Sequence, residues 1–86
     1  MVKVKYSGES DDLTFIDGKE YVLKGFQKIG DDYYPVIIDE VGDPDLCSPD
    51  SFEISSEGYF TIVSGDKDSL PVYEYDEKLG KDVRIK

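Results

Sequence analysis

The chain has 86 residues, 20 acidic against 10 basic side chains, a formal net charge of −10, and neither histidine nor tryptophan. A chain of this length forms one domain with a thin core, so we expect any site to be a surface groove or patch rather than a deep pocket. The acidic excess argues against direct binding to nucleic-acid phosphates, which Lys and Arg side chains contact.

Alternation of apolar and polar residues is the dominant pattern at the N-terminus. Val2 to Tyr6 alternates in this way and predicts a half-buried strand. Leu13 to Ile16 is a short apolar piece, and Asp17-Gly18 after it is the strongest hairpin signal in the chain. The next strand is expected from Lys19 to Gln27, with a bulge or a sharp bend at Gly25.

The middle of the chain continues the β pattern. Tyr33 to Ile38 is the most apolar strand, and Pro35 inside it places that strand at an edge or in a bulge, because proline has no N–H to donate. Ser48 to Phe52 predicts one 3₁₀ turn with Ser48 as its N-cap. Three further runs are strand-like: Leu46-Cys47, Glu53-Ile54 and Tyr59 to Val63.

The C-terminal residues predict a second hairpin. Its strands are Leu70 to Tyr75 and Asp82 to Ile85, and the loop between them contains a glycine. An isolated hairpin is marginal in water, so we expect this one to dock on the rest of the domain. The expected contacts are made by three apolar side chains: Val72, Val83 and Ile85.

These elements predict an all-β fold, since no window of the sequence has a clean helical period. We favour a small five-stranded SH3-like barrel over Met1 to Val63, with Ser64 to Lys86 as a C-terminal hairpin extension of the same domain. The main alternative is an oligonucleotide-binding barrel. The first is preferred because the last core strand follows a short turn around Phe52 and no helix is available for the second.

Several short motifs lie along the first three quarters of the chain. They are Lys3 to Ser10, Asp17-Gly18-Lys19 with Tyr21, Asp39-Glu40 with Gly42, Asp45-Leu46, Pro49-Asp50 and Phe52-Glu53-Ile54. On these motifs, Met1 to Val63 resembles a family of short bacterial and phage proteins that have a small SH3-like barrel and no agreed biochemical role. The resemblance implies a fold and no catalytic residues. Two features depart from the family pattern, namely Pro35 in the middle strand and the extension from Ser64 to Lys86.

Motifs for catalysis and for cofactors are missing from the sequence. Without histidine, a nucleophile with an imidazole base cannot be assembled. The single cysteine, Cys47, cannot form a zinc site, and its acidic surroundings disfavour a reactive thiol. The acidic residues do not have the spacing of a calcium-binding loop. We therefore predict a non-enzymatic protein with no cofactor and no metal, and consider an enzyme without visible catalytic residues the less favoured reading.

The charge distribution is the most informative feature for function. Ile29 to Asp66 contains ten acidic residues and no Lys or Arg, so it holds the whole net charge. This lysine-free stretch is interpreted in three ways: a solubilising face, a surface for a basic protein partner, or a mimic of nucleic acid that inhibits a DNA- or RNA-handling protein. The candidate partner-binding residues are four acids, Asp39, Glu40, Asp43 and Asp45, and two tyrosines, Tyr33 and Tyr59.

The cellular location is predicted from cysteine usage and from apolar runs. A small secreted domain would carry paired cysteines, whereas a lone Cys47 fits a reducing compartment. The N-terminal residues lack the apolar run of a signal peptide, and no stretch approaches the ~20 apolar residues of a membrane span. We expect a cytoplasmic protein that binds another protein and contacts neither membranes nor nucleic acid directly.

Overall fold

Seven β-strands and one short 3₁₀ helix make up the regular structure, and there is no α-helix. The computed structural model describes residues 1–86. No helix has the length and apolar character that crossing a membrane would need. The strands are β1 (Val2–Gly8), β2 (Glu20–Ile29), β3 (Asp32–Ile38), β4 (Pro44–Leu46), β5 (Gly58–Ser64), β6 (Val72–Asp76) and β7 (Lys81–Arg84), and the 3₁₀ helix is Lys67–Ser69.

The strands form one sheet with the order β4-β3-β2-β1-β5, and all four pairings along this path are antiparallel. No ladder joins β4 to β5, so the sheet is open. The tail adds β6, which runs parallel to β2, and β7, which pairs antiparallel with β6. The prediction of an all-β fold is confirmed.

The core lies on one face of β1, β2, β3 and β5. The core forms on one face because apolar and polar residues alternate along these strands, and residues two apart on a strand point to the same face. Phe15 from the loop after β1 packs its ring edge-on against Tyr21 and Phe60, with ring centroids 5.0 and 4.9 Å away. The buried core residues are Val2, Val4, Tyr21, Leu23, Ile37 and Phe60.

The loop between β1 and β2 differs from the expectation. Leu13 to Ile16 is not a strand, so the short hairpin expected at Asp17-Gly18 is wrong, although a turn is present there. The Asp11 N–H instead donates to the Phe15 carbonyl at 2.8 Å, and the Ile16 N–H donates to the Tyr21 hydroxyl at 2.8 Å. Burial of Phe15 among aromatic rings and these local bonds hold the segment without a ladder.

The turn expected at Ser48 to Phe52 is present, although it does not continue into a helix. Two overlapping turns occupy this region, closed by Ser51 N–H to Ser48 carbonyl (3.0 Å) and Glu53 N–H to Asp50 carbonyl (2.9 Å). The N-cap role expected for Ser48 is wrong, because its hydroxyl donates to the Asp50 carboxylate. Glu53-Ile54, expected to be strand-like, has no ladder partner. The 3₁₀ helix lies instead at Lys67–Ser69, where Asp66 caps the helix by accepting from the Asp68 N–H.

One of the two predictions about strand irregularities is confirmed. The register of β2 against β3 shifts between Leu23 and Gly25, which is the bulge expected at the glycine. The edge position or bulge expected at Pro35 is wrong, because β3 lies between β2 and β4 and its register with β2 is regular at Pro35, which precedes the part of β3 that pairs with β4. The Pro35 carbonyl accepts from the Cys47 N–H on that side at 2.8 Å, so the missing proline N–H interrupts no ladder.

The tail is a hairpin, and it docks along β2. Val72 pairs in register with Phe26 and is buried. The Phe26 N–H donates to the Pro71 carbonyl at 3.0 Å, just after Gly25. Of the three contacts expected for the hairpin, Val72 is in the interior, Val83 is half-buried, and Ile85 is 45% exposed and contributes less.

Candidate partner-binding site

Asp39 shapes the turn between β3 and β4, and it is 8% exposed. Its carboxylate Oδ1 accepts from the N–H groups of Val41 (3.1 Å) and Asp43 (2.9 Å). The Asp39 N–H in turn donates to the Asp43 carbonyl at 2.8 Å. Side chains of Asp and Asn commonly close turns in this way, so the role of Asp39 is structural.

Glu40 is engaged by the protein's own side chains. Its Oε1 lies 2.6 Å from Lys19 Nζ, and its Oε2 accepts from the Tyr21 hydroxyl at 2.7 Å. The hydrogen bond from Lys19, followed by the one from Tyr21, lowers the pKa of Glu40 below its usual value. The Glu40 carboxylate therefore stays ionised, and because Lys19 already compensates its charge, it contributes little to the attraction of a partner.

Asp45 completes the group that we name the acidic turn (Asp39, Glu40, Asp43 and Asp45). Burial, a hydrogen bond with the Asp39 side chain, and the charges of Asp39 and Asp43 raise the pKa of Asp45. Of the four acids only Asp43 is exposed, so a partner could reach Asp43 but not all four side chains. No group of His, Cys, Asp and Glu is arranged to hold a metal ion.

The two candidate tyrosines do not share a surface with the acidic turn. Tyr33 lies at the start of β3, six residues before Asp39, which is about 20 Å along an extended strand. It is 42% exposed and lines a cavity beside the tail. Tyr59 is half-buried on β5, opposite Ser7 of β1. The six residues singled out in the sequence thus occupy three separate places.

A second acidic feature lies in the loop between β4 and β5. Its residues line a groove of about 320 Å³, which contains three serines, three exposed carboxylates and no basic side chain. We name this the acidic groove; its carboxylates are Asp50, Glu53 and Glu57. Ile54 lies among them and is 86% exposed. The groove therefore combines negative charge with one apolar side chain that faces solvent.

The acidic groove is attached firmly to the core. The Phe60 N–H of β5 donates to the Ser51 carbonyl at 2.8 Å, and Phe52 packs against the core residues. Our candidate residues from the sequence did not include Asp50, Glu53 or Glu57. The signal that could have selected them is their position in the lysine-free stretch, next to turn-forming serines and a proline.

Cys47 is a half-buried free thiol. Burial, and to a smaller extent the charge of Asp45, raises the pKa of the thiol to about 11. Its Sγ lies 3.8 Å from the Asp45 carbonyl oxygen, at the distance of a weak S–H donor. A thiol that stays protonated at neutral pH is a poor nucleophile, so Cys47 contributes to packing.

Comparisons of the chain with protein-family models, with curated proteins and with solved structures found no match.

Proposed function

We propose that the protein is a non-enzymatic binding module that recognises a basic segment of another protein through the acidic groove. The observation that carries this proposal is the combination of Asp50, Glu53 and Glu57 with no basic side chain in the lining, around the exposed Ile54. Complementary charge accelerates association and selects partners, while an apolar side chain adds contact area that is insensitive to salt.

The attachment of the loop supports this role. Because Phe52 is anchored in the core and the Ser51 carbonyl is bonded to β5, the carboxylates are carried on a segment with a fixed path. A pre-organised loop loses less conformational entropy on binding than a free one. The acidic turn contributes only Asp43 in this proposal, because Asp39 and Glu40 are occupied by internal hydrogen bonds.

We also propose, from the single cysteine, that the protein is cytoplasmic. For the fold, we propose that β1 to β5 form an SH3-like barrel. The support is the strand order, in which β5 lies beside β1, followed by β2, β3 and β4. The long β2, which pairs with β1 in its first half and with β3 in its second, is typical of that arrangement. An oligonucleotide-binding barrel instead pairs its first strand with the fourth.

The test is affinity capture from native cell extract at low and high salt, with the full chain as bait. We expect a basic protein to be retained at low salt and released at high salt, because exposed charges are screened over ~10 Å at 0.1 M. The triple variant Asp50→Asn, Glu53→Gln, Glu57→Gln should lose this partner. The matched control Asp12→Asn, Glu20→Gln, Glu77→Gln removes the same charge from exposed positions elsewhere and should keep it.

Two results would overturn the proposal. If both triple variants lose the partner equally, only the overall charge of the chain matters and the groove is not a site. If the retained proteins bind DNA or RNA and are displaced by added nucleic acid, the protein acts as a nucleic-acid mimic instead. The variant Ile54→Ser separates the apolar contribution, and the factor by which it weakens binding should stay the same as the salt is raised, up to the concentration at which the partner is released.

A further inference from the structure

We infer that a cavity at the junction between the tail and the sheet binds a small anion that carries an aromatic ring. This inference goes beyond the proposed function and uses a different surface. The cavity measures about 480 Å³, within the range of ligand pockets in proteins. It lies between β2, β3, the 3₁₀ helix and the tail strands.

The floor of the cavity is apolar because the core-side face of the sheet extends beyond the core. Val72 of β6 is in register with Phe26 of β2, and Lys28, two residues on, is in register with Tyr33 of β3. Residues in register or two apart on a strand share a face, so Phe26, Val72 and Tyr33 face the same side. Leu70 completes the floor. Val72 is buried, Phe26 and Leu70 are half-buried, and Tyr33 is 42% exposed, so Tyr33 is the part of the floor most open to solvent.

The rim of the cavity is cationic, in contrast to the rest of the molecule. Lys67, Arg84 and Lys86 line it, and the one acid in the lining, Asp68, lies 3.7 Å from Lys67 Nζ. Neither Arg84 nor Lys86 pairs with an Asp or Glu side chain. The Arg84 Nε donates to the Lys86 main-chain oxygen at 3.1 Å, which holds the guanidinium at the rim.

The ligand class follows from these two features together. A guanidinium and ammonium groups that line one cavity suit a phosphate or carboxylate, which accepts charge-assisted hydrogen bonds from both kinds of group. An exposed tyrosine ring beside an apolar floor suits a flat ring, which can stack on it. A ligand with both parts, such as a nucleoside monophosphate or an aryl phosphate, would use the whole cavity.

The test is a titration of the full chain with AMP and with phenyl phosphate, followed by amide chemical shifts in two-dimensional NMR spectra. We expect saturable shifts at Phe26, Tyr33, Leu70 and Val72, with a Kd below about 1 mM for at least one of the two compounds. Adenosine lacks the phosphate and inorganic phosphate lacks the ring, so each should bind at least roughly tenfold more weakly than AMP.

Variants separate a specific site from general attraction by charge. The double variant Lys67→Gln, Arg84→Gln should raise the Kd by roughly tenfold or more, since hydrogen bonds to charged groups are lost. The matched control Lys3→Gln, Lys5→Gln removes the same charge from exposed positions on β1 and should change the Kd less than twofold. Tyr33→Ala should weaken binding roughly fivefold through the loss of stacking.

Three outcomes would overturn the inference. The first is the absence of saturable shifts for either aromatic anion up to 10 mM, roughly ten times the expected limit. The second is inorganic phosphate or adenosine binding as tightly as AMP, which would mean that the ring and the anion are not recognised together. The third is a loss of affinity in the Lys3→Gln, Lys5→Gln control as large as the loss in the Lys67→Gln, Arg84→Gln variant. None of these results bears on the acidic groove, so the two proposals fail independently.

Discussion

The hydroxyl of Tyr21 donates to the carboxylate of Glu40 at 2.7 Å, and the same hydroxyl accepts from the Ile16 N–H at 2.8 Å. Tyr21 is a buried residue of β2, whereas Glu40 belongs to the turn after β3 and Ile16 to the loop before β2. One side chain therefore ties three segments together at the edge of the core. Burial, followed by the hydrogen bond to Glu40, raises the pKa of Tyr21.

We predict that Tyr21→Phe destabilises the protein by about 1–2 kcal/mol, because the Ile16 N–H and the Glu40 carboxylate both lose a partner. In a domain of this size the melting temperature should fall by roughly 5–15 °C. The measurement is thermal unfolding followed by circular dichroism. Tyr75→Phe is the control, because Tyr75 is 58% exposed and makes no side-chain hydrogen bond of this kind. An equal loss in both variants would contradict the assigned role.

Glu40→Gln should reduce the sensitivity of the protein to acid. The pKa of Glu40 is lowered in the folded state, so its contribution to stability is complete above its usual pKa and is lost as the pH falls through the lowered value. Between pH 6 and pH 3 the melting temperature of the unmodified protein should fall more than that of the variant. Glu57→Gln, which makes the same chemical change at an exposed position without an ion pair, is the matched control.

Asp45→Asn should stabilise the protein at neutral pH. The pKa of Asp45 is raised, so this group favours folding below its usual pKa and opposes folding as the pH rises through the raised value. Asparagine resembles the protonated acid, and it removes repulsion with Asp39 and Asp43. We expect a melting temperature a few degrees higher at pH 7, with the difference shrinking below pH 4. A lower melting temperature at pH 7 would show that the Asp45 charge is needed.

Cys47 should react slowly with thiol reagents. A shift of the thiol pKa from 9.0 to about 11 lowers the thiolate fraction at pH 8 roughly 100-fold, and the thiolate is the reactive form. The native protein should therefore react roughly 100-fold more slowly than the protein unfolded in guanidinium chloride. Cys47 is the only cysteine, so the signal has a single source. Comparable rates in the two states would mean that the thiol is not protected.

Gly25→Ala should displace the tail. A methyl group at this position would lie 2.6 Å from the Pro71 carbonyl oxygen, which is too close for ordinary contact. The Phe26 N–H, which donates to that carbonyl, should then exchange faster with solvent. We expect the melting temperature to fall by several degrees, and Lys24→Ala, an exposed neighbour on β2, to change it little.

Truncation after Val63 tests whether Gly25→Ala acts through the tail. Removing the tail should also lower the melting temperature, because Val72 and its pairing with β2 are lost. If the glycine matters only through the tail, Gly25→Ala should have almost no additional effect in the truncated chain. Additive effects of the two changes would mean that the substitution strains β2 itself.

Local sequence patterns predicted most of the strands. The prediction failed at Leu13 to Ile16, where long-range contacts determine the path of the chain. Alternation identified β1, β2, β3 and β5 to within a few residues, because each has one face in the core. Leu13 to Ile16 has the composition of a strand but no partner strand beside it. Burial of the Phe15 ring against Tyr21 and Phe60 determines its path instead, and no local pattern encodes that contact.

The sequence by itself determined the all-β class, the bulge at Gly25, the pairing of the tail strands and the position of the negative charge along the chain. These properties depend on neighbouring residues, so they can be derived from spacing and composition. Only the tertiary structure decided which carboxylates are free. Asp39 and Glu40 look like Glu53 and Glu57 in sequence, yet the first two are occupied by turn N–H groups and by Lys19 and Tyr21. The availability of a charge depends on what the fold brings within hydrogen-bond distance, and those partners lie up to 21 residues away along the chain.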